Sequence, residues 1–166
     1  MRAETTDAPA SFFEVTPIEG GYLEDIAVGE AAECGRFVLS EAEIVDFARR
    51  FDPQPAHIDP GFAATTPAGV VTASAAHTFA VAVGIFARAA SDCRTIAAVT
   101  IHPMELPAPA KAGVELRIMA RWTEKRESRT KPDRGIASWQ IEVIDPAGTV
   151  VFRTGATILV HRRPAA

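Results

Sequence analysis

Hydrophobic positions in the first half of the chain follow a helical period. Apolar side chains recur at i, i+3, i+4 and i+7, on one face of a helix: Ile44, Phe47, Ala48 and Phe51. Ser40 followed by Glu43 is a capping box, which marks the start of a helix. Pro53 marks the end, because the residue before a proline is pushed out of the α region. The pattern predicts a helix over residues 41–51.

A later segment is apolar on every face. Residues 72–87 carry no charged side chain when histidine is neutral, and they are rich in alanine. A helix of this kind is surrounded by protein. Its length of about 24 Å and its polar interruptions make it a poor membrane span. We therefore predict a buried helix within residues 70–90.

Alternation of apolar and polar positions dominates the second half and predicts strands. In residues 114–122 every second side chain is apolar and falls on one face. Residues 145–148, Asp-Pro-Ala-Gly, have the composition of a hairpin turn. The predicted strands are residues 34–39, 95–106, 114–122, 135–144 and 149–160.

An antiparallel sheet curled around the apolar helix satisfies both patterns. One sheet cannot cover a helix that is apolar all round, so the other side needs the short helices predicted at 41–51 and 60–65, or a second subunit. We predict a single α+β domain over residues 21–164 and favour a homodimer. Residues 1–20 are polar and punctuated by Pro and Gly, and we predict a flexible N-terminal arm.

Composition narrows the class of protein without assigning a function. The chain has 166 residues, the size of one domain, and its net charge of −4 gives no reason to expect a nucleic-acid partner. Cys34 and Cys93 do not have the sequence spacing of metal ligands, and we expect both to be reduced thiols. The N-terminus lacks a signal-peptide core, and no membrane partner is indicated. We expect a soluble, cytoplasmic protein.

The stretch FDPQPAHIDP, residues 51–60, is the strongest candidate for chemistry. Asp52 follows the C-terminus of the first predicted helix, where the helix dipole is unfavourable to negative charge. His57 follows five positions later, and Asp59-Pro60 is typical of an N-cap with proline at the first helical position. A rigid, proline-framed loop pre-organises a carboxylate and an imidazole for proton transfer.

The spacing alone also permits simpler interpretations. A structural aspartate at a helix end and a hydrogen-bonded loop histidine would produce the same pattern, and from spacing alone this explanation is favoured. A metal site built from His57, Asp59 and Asp52 lacks a clear third or fourth ligand, so no metal is expected. His77, on the apolar helix, is more typical of a satisfied core histidine than of a catalytic group.

The segment FARRFDPQPAHIDPGFA resembles the hydratase motif of the MaoC-like, (R)-specific enoyl-CoA hydratase family. The likeness rests on its aromatic residue, its Asp-x4-His pair and Ala63, six positions after the histidine. YLEDIAVGE, TASAAHT, SRTKPDRG and HRRP are similar to stretches of stand-alone members. The resemblance covers about residues 20–164. It implies a hot-dog fold, an antiparallel sheet wrapped around a central apolar helix with short overhanging helices.

The resemblance also implies an activity, the reversible hydration of a trans-2-enoyl thioester to an (R)-3-hydroxyacyl thioester. Asp52 and His57 would hold a water molecule, one activating it and the other delivering a proton; the sequence does not decide which. The substrate would be a thioester of coenzyme A or of an acyl carrier protein. No cofactor is expected beyond the coenzyme A of the substrate.

Further candidate residues lie where the apolar helix begins. Backbone N–H groups at Ala73, Ser74 and Ala75 are candidates for holding the thioester carbonyl oxygen, because a helix N-terminus offers free donors. Ser74 is also a candidate cap for the helix or a hydrogen-bond partner of Asp52. The chain departs from the family's pattern here, since Ala75 and Ala76 replace a Gly-Trp pair. Smaller side chains would widen the acyl pocket.

A basic segment is the candidate for contact with coenzyme A. Residues 121–134 carry six Lys or Arg and three Asp or Glu side chains, a local charge of +3. Because Arg and Lys suit phosphate, four of these side chains are candidate ligands for its phosphates: Arg126, Arg129, Lys131 and Arg134. A solvated connection between two strands is the alternative, and it is favoured.

Two other functions remain open. Hot-dog thioesterases commonly place an Asp or Glu on the central helix, and residues 72–90 contain neither, which argues against thioester hydrolysis. A non-catalytic acyl-thioester-binding protein would keep the fold without turnover, as the altered TASAAHT segment would allow.

Overall fold

The computed structural model describes residues 11–164, which form six strands and four helices. The strands are β1 (Phe12–Val15), β2 (Ala32–Val38), β3 (Thr95–Ile101), β4 (Leu116–Glu127), β5 (Arg134–Ile144) and β6 (Val150–His161). The helices are α1 (Glu41–Phe51), α2 (Pro55–Ile58), α3 (Pro60–Ala63) and α4 (Ala75–Ala89).

The six strands form one antiparallel sheet in the order β1-β2-β4-β5-β6-β3. On β4 the side chains of Leu116, Ile118, Ala120 and Trp122 are buried, while those between them are exposed or half-buried. The period-2 pattern therefore sets which face of the sheet meets the core. As predicted, this face is covered by the apolar helix.

Helix α4 lies against the buried face of the sheet. Its N-cap is Ser74, whose hydroxyl oxygen accepts a hydrogen bond from the His77 N–H at 3.2 Å. Phe86 packs between Trp122 and Trp139, with ring centroids 5.9 and 4.5 Å away. Such aromatic pairs contribute about 0.5–1.5 kcal/mol beyond the area they bury. A curled antiparallel sheet around one central helix confirms the predicted fold class.

The prediction of a flexible arm over residues 1–20 is wrong from Phe12 onward. Strand β1 pairs with β2, with Phe12 opposite Val38, so the sheet begins before residue 20. Four residues with mostly exposed side chains carry no readable alternation, which is why the pattern missed this strand. Residues 1–10 of the arm lie outside the described residues.

Other boundaries also differ from the prediction. The loop at 51–60 contains a helical turn, α2, which begins at Pro55. Proline lacks a backbone N–H, but at the first position of a helix this group has no intrahelical acceptor, so no hydrogen bond is lost. Helix α4 begins only at residue 75, since an isolated bridge between Thr72 and Lys111 keeps the preceding backbone extended. Strand β3 ends at Ile101, two residues before a proline.

Candidate active site

Asp52 occupies the end of α1, as the sequence predicts. Its N–H donates to the Ala48 carbonyl at 2.9 Å, and its backbone leaves the helical region at this C-cap position. The half-buried carboxylate accepts a hydrogen bond from Gln54 Nε2 at 2.8 Å. Gln54 therefore orients one carboxylate oxygen, Oδ1. The sequence pattern gave Gln54 no such role.

His57 lies on α2 and is held by backbone. Its ring Nδ1 is 2.6 Å from the carbonyl oxygen of Thr72. A carbonyl only accepts hydrogen bonds, so Nδ1 carries the proton, and in the neutral ring Nε2 keeps its lone pair. The bond thus selects the tautomer whose other nitrogen can take a proton. Sequence reasoning missed Thr72 because a backbone carbonyl leaves no side-chain signal.

The two predicted residues, Asp52 and His57, line the same cavity, of about 400 Å³. Its wall also includes Thr72 and Thr78, with Ala75 at the start of α4 and the segment 106–110 opposite. This volume falls within the about 300–1,000 Å³ typical of small-molecule sites. A carboxylate and an imidazole with an available nitrogen therefore meet in a space that can admit a substrate and a water molecule.

The start of α4 supplies one backbone donor to this cavity. The Ala75 N–H has no hydrogen-bond acceptor within residues 11–164, and Ala75 lines the cavity. The Ala73 N–H donates to the Ala110 carbonyl at 2.8 Å, so the prediction that it is free to bind a carbonyl oxygen is wrong. Ser74 is the helix cap, as predicted; across the described chain it makes no hydrogen bond to Asp52.

The four basic candidates lie at or beside the β4–β5 connection, far from this cavity. Gly135 faces Val160, whereas Val151, at the other end of β6, lines the cavity. Nine residues of strand separate these two points, roughly 30 Å. Arg134 pairs with Asp133 at 2.7 Å. Within one protomer the structure therefore does not bring Arg126, Arg129, Lys131 and Arg134 to the Asp52/His57 cavity. Their contact with coenzyme A phosphates stays a prediction.

Other titratable groups are engaged elsewhere. Asp59 caps α3 by accepting hydrogen bonds from the Gly61 and Phe62 N–H groups, at 2.8 and 3.1 Å. Burial raises the pKa of the Cys34 thiol to about 12, so it is not a nucleophile at neutral pH. His102 Nε2 lies 3.0 Å from the Thr157 hydroxyl on the sheet.

Two kinds of feature are absent from the described residues. No three His, Cys, Asp or Glu side chains in residues 11–164 lie close enough together to hold a metal ion. None of the helices in the same range is both long and apolar enough to cross a membrane.

A sheet curled around one helix, with a cavity at the start of that helix, defines a hot-dog protein. The sequence profile of the MaoC like domain matches residues 26–141. The match spans more than half of the chain, and the chain belongs to this family. Among curated proteins, none matches this chain.

Solved structures agree with this assignment. A MaoC-like dehydratase from Rhodospirillum rubrum is 32% identical, with a TM-score of 0.79, over 88% of this chain and 100% of that one. The unliganded R-hydratase PhaJ1 from Pseudomonas aeruginosa is 21% identical, with a TM-score of 0.69, over 93% and 90%. A Mycobacterium tuberculosis protein with a double hotdog fold is 18% identical, with a TM-score of 0.71, over 89% and 46%. Family membership supports a hydratase or dehydratase activity in general.

Proposed function

We propose that this protein interconverts trans-2-enoyl thioesters and (R)-3-hydroxyacyl thioesters by adding or removing water. One observation carries the proposal: Asp52 and His57 line one cavity, and the bond from His57 to the Thr72 carbonyl leaves Nε2 able to accept a proton. An ionised carboxylate and this nitrogen are both acceptors, so one water molecule can donate a hydrogen bond to each.

The chemistry requires a proton to move twice. As the water oxygen bonds to Cβ, a base removes a proton, and a proton must then reach Cα. No net proton is consumed, so the proton that one residue takes up is returned to the substrate directly or through the other residue. Each such transfer contributes about 10²–10⁴-fold to the rate. The pH–rate profiles of Asp52 and His57 variants would assign the two steps.

The thioester carbonyl gathers negative charge during the addition. The Ala75 N–H at the first position of α4 is the described donor that can meet this charge, and the positive end of the helix dipole reinforces it. This arrangement would place the enoyl Cβ beside the water and the carbonyl oxygen at the start of α4. Coenzyme A or an acyl carrier protein would supply the thiol part, and no other cofactor is required.

The active form is proposed to be a homodimer. Strand β3 is a sheet edge, so its outer hydrogen-bonding groups have no neighbouring strand in the described chain. Large apolar side chains on and after this strand are exposed: Val99, Ile101, Met104 and Leu106. Leu106 also lines the Asp52/His57 cavity, so a second subunit on this edge would complete the wall of the site.

The test is a panel of enoyl-CoA substrates of increasing chain length, followed by loss of the enoyl absorbance band. Asp52→Asn should fold normally and lose most of the hydration rate. Asp46→Asn, which removes the same charge from an exposed position on α1, should retain it. Wild-type turnover in Asp52→Asn would contradict the proposal. Release of free thiol would instead indicate a thioesterase, and binding without any turnover a non-catalytic protein.

A further inference from the structure

A second cavity, the α4–β1 cavity, lies along another face of the central helix. It has a volume of about 480 Å³ and shares no lining residue with the Asp52/His57 cavity. One face of α4, from His77 to Arg88, forms its floor, while β1 and α1 contribute its walls. From the first to the last of these twelve residues the helix rises about 16 Å. The cavity is therefore an elongated space, mostly apolar, beside the buried helix.

One wall of the cavity contains the Glu43 carboxylate, which does not take part in capping its own helix, α1. The capping-box pattern predicts that the Glu43 carboxylate accepts from the Ser40 N–H. That N–H instead donates to the Ser11 hydroxyl oxygen at 2.9 Å. Glu43 contributes only its backbone N–H to the cap, at 3.2 Å from the Ser40 hydroxyl oxygen. The half-buried carboxylate is left to line the cavity.

The facing group is a buried histidine whose ring makes no hydrogen bond to residues 11–164. His77 is 3% exposed and stacks on Phe47, with ring centroids 4.2 Å apart. Its Nδ1 is sealed in the interior, and no acceptor or donor for it exists among residues 11–164. Its Nε2 lies 3.8 Å from Glu43 Oε1, which is too long for a direct hydrogen bond. Buried polar groups are normally hydrogen-bonded, so this pair is unusual.

We propose that the α4–β1 cavity binds a small aliphatic molecule through a hydroxyl group placed between Glu43 and His77. An oxygen can lie about 2.8 Å from each of two atoms that are 3.8 Å apart. When the His77 proton is on Nε2, the hydroxyl donates to the carboxylate and accepts from the imidazole Nε2–H, which a carboxylate or an ether could not do. The chain of the ligand then lies against apolar side chains of β1 and α4, such as Val15, Val81 and Ile85.

The probe is 1-hexanol, titrated into the ¹⁵N-labelled full chain while the ring nitrogens of His77 are followed by NMR. Saturable shifts of these nitrogens are expected. The isomer 1-methoxypentane has the same size but no hydroxyl proton, and it should bind at least about tenfold more weakly, the equivalent of one hydrogen bond. Hexanoate should also bind weakly, because its charge meets the Glu43 carboxylate. Equal binding of the ether and the alcohol would overturn the proposal.

Two variants with matched controls locate the binding. Gly84→Leu fills the cavity, and the first atom it adds meets only the flexible end of Arg88, at 3.2 Å, so the fold should persist while hexanol binding is lost. Ala87→Leu adds the same group to an exposed position of α4 and should leave binding unchanged. Unaltered hexanol binding in Gly84→Leu would place the ligand elsewhere and refute the site.

The carboxylate is tested in the same way. Glu43→Ala should weaken hexanol binding at least about tenfold, because a charge-assisted hydrogen bond is removed. Glu41→Ala removes an exposed carboxylate from the same helical turn and should not. Because the cavities share no residue, Asp52→Asn should bind hexanol like the wild type. Failure of the hydratase proposal and failure of this one are therefore distinguishable.

Discussion

His57 and His77 lie on either side of the start of α4, and their environments differ in every respect that matters for chemistry. His57 is half-buried, faces a cavity shared with a carboxylate, and has its tautomer selected by the Thr72 carbonyl at 2.6 Å. His77 is almost fully buried and lies flat on Phe47, and its ring nitrogens have no hydrogen-bond partner in the described part of the chain.

A histidine that exchanges protons with a substrate has two requirements. One ring nitrogen must donate a hydrogen bond to the protein, so that the lone pair of the other nitrogen points at the reacting atoms. The surroundings must also be able to accommodate the positive charge of the protonated ring. Burial lowers the pKa of His77, although Glu43 opposes this effect. The charged form of His77 is thus disfavoured, which suits a neutral hydrogen-bonding group better than a proton carrier.

Exchanging each histidine for a small or apolar residue should separate the two roles most strongly. His57→Ala should lower kcat/KM for an enoyl-CoA by about 10²–10⁴-fold, since a proton-transfer group is removed. His77→Leu should cost much less, because its ring does not line the Asp52/His57 cavity. The measurement is the enoyl absorbance assay, with circular dichroism to check folding. Similar losses in both variants would remove the distinction drawn between the two histidines.

The two cavities should also respond differently to disruption of the proposed dimer. Val99→Lys places a positive charge on the β3 edge. In a symmetric dimer both subunits carry this charge at the interface, so the protein should become monomeric. Hydration should fall several-fold because Leu106 beside this edge lines the first cavity, whereas hexanol binding should persist.

Light scattering reports the mass of the Val99→Lys protein, and the assays above report the two cavities. Val28→Lys, on an exposed valine outside the six strands, is the matched control and should remain dimeric. A wild-type protein that is already monomeric would contradict the homodimer.

The N-cap of α4, the helix that borders both cavities, predicts a smaller effect. Ser74 is 1% exposed, and its hydroxyl oxygen accepts from the His77 N–H. Ser74→Ala should lower the free energy of unfolding by about 0.5–2 kcal/mol, while Ser74→Thr should recover most of it. Urea denaturation measures both. If Ser74→Ala were as stable as the wild type, the cap could not be what positions the first turn of α4.

Much of this architecture was predictable, because it rests on local patterns. The 3.6-residue period and Pro53 placed α1, and Ser40 caps it as predicted. Period-2 alternation placed β4, and the turn at residues 145–148 separated β5 from β6. The resemblance of the Asp-x4-His loop then directed attention to Asp52 and His57, which do line one cavity.

What could not be predicted depends on contacts between distant segments. The bond that selects the His57 tautomer goes to a carbonyl fifteen residues away. The Ser40 N–H, which the capping box assigns to Glu43, donates instead to Ser11 on the segment that leads into β1. The basic segment looked suitable for phosphate by composition, yet the strand register carries it to the far end of the sheet. Composition alone does not report distance.

The smallest predicted effect concerns pH and again separates the two histidines. An exposed histidine has a pKa of about 6.5, and burial places that of His77 lower in the folded protein. Above about pH 6.5 both folded and unfolded chains hold this ring neutral, so it adds no pH dependence. Below that pH the unfolded chain binds the proton first. The free energy of unfolding therefore falls as the pH decreases toward the folded pKa.

His77→Leu removes this contribution and should make the decline of stability below about pH 6.5 shallower, by at most about 1.4 kcal/mol per pH unit. Near neutral pH the variant should be about as stable as the wild type, because an apolar side chain replaces a buried ring that lacks hydrogen bonds. Urea denaturation at several pH values measures both quantities. An unchanged slope would mean that His77 takes up its proton in the folded protein as readily as in the unfolded chain, with Glu43 compensating for its burial.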